Sequence, residues 1–312
     1  MTLLLLVLVA PADAGRKKKT VEVPPAEPAA PLQVALPCDW PVGTTFRYDY
    51  VRRRTDARDP QLAEMVSHTP TTVEVTASGN PVVFAYGSGQ PVFSGPADRV
   101  AQMGDPLGGV SLPPMQLVLK DGALTALLNQ EEVLAVMEPL VRSLAGDAPA
   151  DVVDQTLALY HDPVLGQALL LKEPARLFAL HCVTMTEGDV IDAPTEFANP
   201  FGGPPIAGRS VIRMAGYDPV AHTLTVTTEE STDLEAVRAM LPALVAAWIP
   251  GTPEEDMEAV AAQLPPIESR TVGTLVYDTT DGFPLSVEVT QELGAVGHPM
   301  RRTDTWSWTR TD

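Results

Sequence analysis

Hydrophobic and polar positions alternate with a period of two over several stretches, and the clearest is Thr271–Leu293. There Phe283, Leu285, Val287 and Val289 alternate with Ser286, Glu288 and Thr290, the spacing that puts one face of a strand in a core and the other in water. Asp281-Gly282 reads as the tight turn of a β-hairpin, and Pro284 suits a strand entrance or an edge. Phe46, Tyr48 and Tyr50 alternate with Arg47 and Asp49 in a strand ending in Arg52, Arg53 and Arg54. Val73 and Val75, a turn at Ser78-Gly79-Asn80-Pro81, and Val82, Phe84 and Tyr86 make a second hairpin over 71–89. A third lies around Gly216-Tyr217-Asp218-Pro219, with His222, Leu224 and Val226 as the inward series of its return strand. The last strand carries Trp306 and Trp308 on one face, and is expected to pair with 271–293 or with Phe46–Arg54, bringing the chain ends together. The Gly/Pro-rich segment 90–114 reads as a loop with one short strand.

Between these β stretches the spacing becomes helical. Asn129-Gln130-Glu131-Glu132 has the form of an N-cap whose third residue reaches back, followed by Val133, Val136, Met137, Leu140 and Leu144. Further helices are predicted over about 151–161 and from Asp162-Pro163 toward Pro174. Later, Thr232-Asp233-Leu234-Glu235 opens the stripe Leu234, Val237, Leu241, Leu244 and Trp248, and Thr252-Pro253-Glu254-Glu255 opens another helix closed by Pro265-Pro266. Strands, helices, strands, helices and strands therefore follow one another. The predicted fold class is α+β: antiparallel β-sheet, of which an open half-barrel is one form, covered by two blocks of helices. Residues 38–312 form one large domain, and the repeated order allows an internal duplication with sub-units 38–172 and 173–312.

The N-terminus adds an address. An apolar run from Leu3 to Ala10 ends in Ala12-Asp13-Ala14, which reads as a signal peptide over 1–14 although no Lys or Arg precedes the run. It is too short to span a bilayer. Arg16, Lys17, Lys18 and Lys19 and a proline-dense stretch make 15–37 a basic, Pro-rich linker in extended form. The expected location is periplasmic or extracellular. In such a compartment Cys38 and Cys182, the only cysteines, form a candidate disulfide, two free buried thiols being the alternative. The chain has 312 residues, 45% of them hydrophobic, enough for a sizeable core, and a formal charge of −19, which argues against a nucleic-acid partner. Its 31 prolines against 7 phenylalanines predict many loops and interrupted helices. Against that acidity, Arg52–Arg54 and Arg301-Arg302 would make a local basic patch, or simply solvated strand ends, if their strands lie side by side.

Candidate chemistry is sparse. His68, His161, His181, His222 and His298 lie in five separate segments without metal-ligand spacing, and no cofactor or metal is predicted. His181 adjoins Cys182 but has no spaced partners, and His222 reads as a core histidine. Ser88 in YGSGQP joins a strand to a loop rather than to the helix a nucleophile elbow requires. No phosphate cradle or calcium loop is present, and no catalytic residue is assigned.

Thr280-Asp281-Gly282-Phe283-Pro284, the Pro-rich spacer and the helices set between strands resemble uncharacterised secreted β-rich bacterial proteins. The organisation is also similar to periplasmic lipoprotein carriers of the LolA and LolB type. That resemblance implies an open β half-barrel whose helices cover an acyl-chain cavity, and carries over no functional residue. The expected function is an exported, non-enzymatic binder of a hydrophobic ligand, such as a lipid, or of an envelope component, in a sheet–helix cavity. A structural or protein-interaction domain of the envelope is the alternative, and an exported hydrolase with an unrecognised site the third.

Overall fold

A computed structural model describes residues 31–57, 64–107, 110–146, 148–197, 205–248, 263, 267–297 and 301–312. In chain order these give β1 (Gln33–Ala35), β2 (Thr45–Asp56), β3 (Met65–Ala77), β4 (Val82–Ser88), β5 (Val92–Ser94), α1 (Ala97–Leu107), β6 (Met115–Lys120) and β7 (Ala123–Leu127). Next come α2 (Gln130–Ala145), α3 (Ala150–His161), α4 (Leu165–Leu171) and α5 (Pro174–Leu177). The chain then returns to strands in β8 (Thr184–Thr186), β9 (Val190–Phe197), β10 (Ile206–Asp218) and β11 (Thr223–Thr232). It ends in α6 (Leu234–Trp248), β12 (Ile267–Asp278), β13 (Pro284–Ala295) and β14 (Arg301–Arg310).

The fold is α+β, built on one antiparallel sheet of 12 strands that does not close into a barrel. The order across it is β7-β6-β4-β3-β2-β14-β13-β12-β11-β10-β9, with β5 attached to β3 and β1 paired separately with β8. The last strand pairs with both of its expected neighbours, β13 on one side and β2 on the other, so the ends of the folded chain meet mid-sheet. Both halves cross the sheet in the same direction, β2 to β7 from the centre to one edge and β9 to β14 from the other edge back to the centre. Three meandering strands, a helix-bearing excursion and a hairpin recur as β2-β3-β4, α1, β6-β7 and as β9-β10-β11, α6, β12-β13.

Several local expectations are corrected. Segment 90–114 contains α1 as well as β5. β1 precedes Cys38, inside the stretch read as linker, and the compact unit begins at Leu32. His222 is exposed at φ 54 in the turn before β11, not in the inward series. Asn129 stands at the N-cap of α2 and Glu132 reaches back to it, accepting from its Nδ2 at 3.1 Å, but the Asn129 side chain bonds no helix amide: its Oδ1 accepts from the Gln116 amide at 2.8 Å and its Nδ2 also donates to the Pro114 carbonyl, tying the helix start to β6. At α6 the cap is Asp233, whose Oδ1 accepts from the Glu235 and Ala236 amides, while the Thr232 hydroxyl accepts from the Ser269 amide. In the β12–β13 hairpin a register shift between Val276 and Tyr277 displaces Leu285 from the fully buried series, and the reversal spans 279–283 rather than Asp281-Gly282 alone. Residues 1–14, the basic tetrad and the Thr252–Glu255 segment lie outside the described residues.

That reversal is the centre of the core. The Phe283 ring is wholly buried, stacks on Phe46 at 3.8 Å between centroids and meets Trp40 at 5.1 Å, His181 at 5.0 Å and Phe84 at 5.7 Å. Two chain segments close over it. One carries β1 and Trp40, the other Phe178, His181 and β8; they are joined by the β1–β8 ladder and by the Cys38–Cys182 disulfide. A bridge at a sequence separation of 144 stabilises on the order of 5 kcal/mol through the unfolded chain. The Trp40 indole donates to the Asp281 carbonyl at 2.6 Å, and the Tyr48 hydroxyl to the Pro284 carbonyl at 2.9 Å. Gly282 adopts φ +76, and a Cβ there would lie 2.4 Å from the Pro37 carbonyl oxygen. Only a residue without a side chain lets the reversal and the N-terminal segment approach this closely.

Two predictions follow from this packing. Gly282→Ala should destabilise the protein by about 2–4 kcal/mol, whereas Gly297→Ala, with a similar φ of +74 but nothing within 4 Å, should cost about 1 kcal/mol; urea midpoints compare the two. His181 is fully buried and neither ring nitrogen has a hydrogen-bond partner. Burial pushes it from 6.5 down to about 4, while the Gly282 backbone opposes the shift. As pH falls the unfolded chain takes up this proton first. The contribution of a neutral His181 is therefore complete above about pH 6.5 and fades toward pH 4, on the order of 3 kcal/mol in all. Melting curves of His181→Phe should lose that part of the acid dependence, and an unchanged profile would contradict the assignment.

Candidate functional site

The inner face of the sheet, the one turned to α4 and α5, changes character along its strands. At the reversal end it is aromatic. Moving along β2 in the same parity as Phe46, Tyr48 and Tyr50 brings Arg52 and then Arg54 onto the inner face, and along β14 Trp308 and Trp306 are followed by Asp304 and Arg302. The chain passing over this surface is Leu171-Lys172-Glu173-Pro174-Ala175-Arg176-Leu177. Leu171, Pro174 and Leu177 are buried, which leaves Lys172, Glu173 and Arg176 to meet the arginines of the sheet.

Glu173 is saturated. Its Oε1 pairs with Arg52 Nη1 at 2.8 Å and accepts from the Trp306 indole at 3.3 Å, while Oε2 accepts from the Tyr50 hydroxyl at 3.0 Å. Asp304 is almost buried, its side chain 5% exposed, and draws in three arginines: Arg54 Nε at 2.8 Å, Arg302 Nε at 2.6 Å and Arg52 Nη2 at 3.6 Å. Burial alone would raise this carboxyl; the hydrogen bonds and charges of Arg54 and Arg302 outweigh it and hold Asp304 below the usual carboxylate range. These two carboxylates fasten β2, β14 and the α4–α5 segment to one another.

Two cations remain. The Arg176 guanidinium lies over the Trp306 ring at 3.9 Å, with its Nε buried and unpartnered. Burial lowers its proton affinity, while Glu230 of β11 and Glu173 act against that shift. Among the described residues Lys172 donates to the Gln291 amide oxygen at 3.5 Å, and its ammonium is pressed downward by desolvation and by Arg176, with Asp304 opposing. Burial raises the Glu230 carboxyl, with Arg176 opposing. Across the site, the five cations Arg52, Arg54, Lys172, Arg176 and Arg302 stand against four carboxylates, Glu173, Asp304, Glu230 and Asp56, the last in register with Arg302, on a protein of net charge −19.

Beyond Arg176 the inner face continues onto β11, β10 and β9 with a thinner cover. Gly273 leaves no side chain between Val289 and Thr228. Ile212 and Met214 are only half-buried against the edge of the core, and Ile191, paired with Ile212, is 51% exposed. The opposite, outer face of the same strands holds a cleft of about 290 Å³ lined by polar residues including Arg213, Thr227, Thr274, Glu288 and Thr290.

The structure brings the expected Cys38 and Cys182 together as a disulfide. It also resolves the expected basic patch. Arg52, Arg54 and Arg302 turn inward to ion pairs, whereas Arg53 pairs with Glu64, and Arg301 with Glu268 and Glu292, at more exposed positions. Among the described residues no group of three or more His, Cys, Asp or Glu side chains is placed to hold a metal ion. Lys172, Glu173, Arg176, Glu230 and Asp304 escaped the sequence reading. Their signal was three charges interrupting an apolar run, and a carboxylate in the inward parity of Trp306 and Trp308. Compared with known proteins, the chain matches no family model and no curated protein.

Removing the Asp304 charge tests the network. Asp304→Asn leaves its arginines short of a counter-charge at a nearly buried position and should cost about 3–5 kcal/mol in denaturant unfolding. Arg53→Gln, which breaks only the exposed pair with Glu64, should cost less than about 1 kcal/mol.

Proposed function

We propose that this is an exported, non-enzymatic protein that binds a hydrophobic ligand, or the apolar part of an envelope component, on the inner face of its sheet. The observation that carries the reading is the unequal cover of that face. Phe84, Tyr277, Phe283 and Trp308 are wholly excluded from solvent, whereas Ile191 is 51% exposed and Ile212 and Met214 are half-buried. A continuous apolar strip of this kind, ending in a few oriented polar groups, is the usual composition of a small-ligand site. The polar outer cleft suits an apolar ligand poorly.

Export, to a periplasmic or extracellular place, is supported by the apolar leader pattern and by the disulfide. Among the described residues no helix is long and apolar enough to cross a membrane. The filled aromatic centre favours a second reading, a structural or protein-interaction domain of the envelope that takes no ligand.

Organic extraction of protein purified from an exporting host, followed by mass spectrometry, should recover an apolar molecule. The neutral probe 1-N-phenylnaphthylamine should bind saturably. Ile212→Glu should weaken that binding about tenfold, by placing a charge on the apolar strip, and Thr274→Glu on the outer face should leave it unchanged. Absence of both an extracted molecule and saturable probe binding would overturn the ligand reading in favour of the second.

A further inference from the structure

The charge balance at the end of the apolar strip specifies the ligand further. Resting on the inner-face reading above, we infer that the ligand is an anionic amphiphile: its chain lies along Ile212 and Ile191, and its carboxylate or phosphate group is held by Lys172 and Arg176.

Three observations carry this. First, the counter-charges of the cluster are already engaged. Asp304 is taken by Arg54 and Arg302, and Glu173 by Arg52, Tyr50 and Trp306. Among the described residues Lys172 and Arg176 have no ion-pair partner within 4.0 Å. Glu230 acts on Arg176 from β11 without reaching it, and desolvation weakens its own ionisation. Second, these cations are held close. Arg176, Arg302 and Arg52 act on Lys172 with Asp304 opposing them, and the Arg176 guanidinium lies over the Trp306 ring at 3.9 Å. Holding like charges together in a partly desolvated place is unfavourable, and a bound anion relieves it. Third, the two positions differ as a headgroup site requires. Lys172 is a point charge with an exposed side chain, while the Arg176 guanidinium is oriented by its ring contact and presents a planar fork suited to carboxylate or phosphate oxygens. The apolar residues Ile212 and Ile191 lie on the strands beyond β12, where Gly273 is in register with Thr228 and Thr228 with Ile212.

Displacement of 1-N-phenylnaphthylamine compares dodecanoate, dodecyl phosphate and the uncharged dodecyl maltoside on the full exported chain; calorimetry with inorganic phosphate tests the headgroup alone. Both anionic amphiphiles should bind about tenfold tighter than the maltoside, and the advantage should shrink with added salt. Lys172→Glu, an exposed change that leaves the fold intact by melting temperature, should abolish the advantage, and Arg176→Gln should act likewise. Equal binding of all three amphiphiles, or a Lys172→Glu protein that keeps the preference, overturns the anionic headgroup and leaves the apolar face standing. Binding of inorganic phosphate with no binding of any amphiphile overturns the inner-face reading and the amphiphile together, retaining only an anion site. No binding of any probe overturns both proposals.

Discussion

Everything in this molecule is arranged around one ring. Phe283 lies in a chain reversal, where the backbone is free to leave the sheet, and it is driven into contact with rings from β2, β4 and both closing segments. A buried phenylalanine contributes on the order of 2–3 kcal/mol by area alone and more through ring geometry. Its neighbour Gly282 sets the distance at which the N-terminal segment can close. The disulfide, the β1–β8 ladder and the Trp40 hydrogen bond all act on that closure, so one end of the sheet is sealed before any charged group is considered.

Sealing one end leaves the other to a different physics. The two halves of the twelve-stranded sheet are joined at β2 and β14, the first and last long strands among the described residues. At that seam the inner face turns from aromatic to ionic. Asp304 and Glu173 hold the arginines there, and Trp306 serves both regimes: its indole nitrogen donates to Glu173 and its ring face carries Arg176. Buried ion pairs seldom add net stability over an apolar packing of the same volume.

Much of the framework was legible. Period-two spacing located β2, β3, β4, β12, β13 and β14, and the inward sets Phe46/Tyr48/Tyr50 and Trp306/Trp308 follow directly from it. What escaped has identifiable causes. Gly104 and Pro106 made α1 look like a loop, because local propensity cannot anticipate the tertiary support that holds such a helix. His222 continued an alternating series by count, but the turn had already claimed it. Asn129 and Thr232 carried capping signatures, yet the sheet backbone competed for their side chains and won. The candidate site was nearly legible: extending the parity of Tyr48 and Tyr50 by one step places Arg52 and Arg54 inside. That step requires accepting inward arginines, which composition argues against until Asp304 and Glu173 are known to meet them.

The most direct test of the central claim is where a ligand chain touches the protein. Photo-crosslinking with a diazirine-bearing dodecanoate, followed by peptide mass spectrometry, reports that position residue by residue. The account predicts adducts on β9–β11 at Ile191, Ile212 and Met214, lost in competition with unlabelled dodecanoate. Adducts confined to the outer face around Thr227 and Thr274, or labelling that competition leaves unchanged, would contradict it.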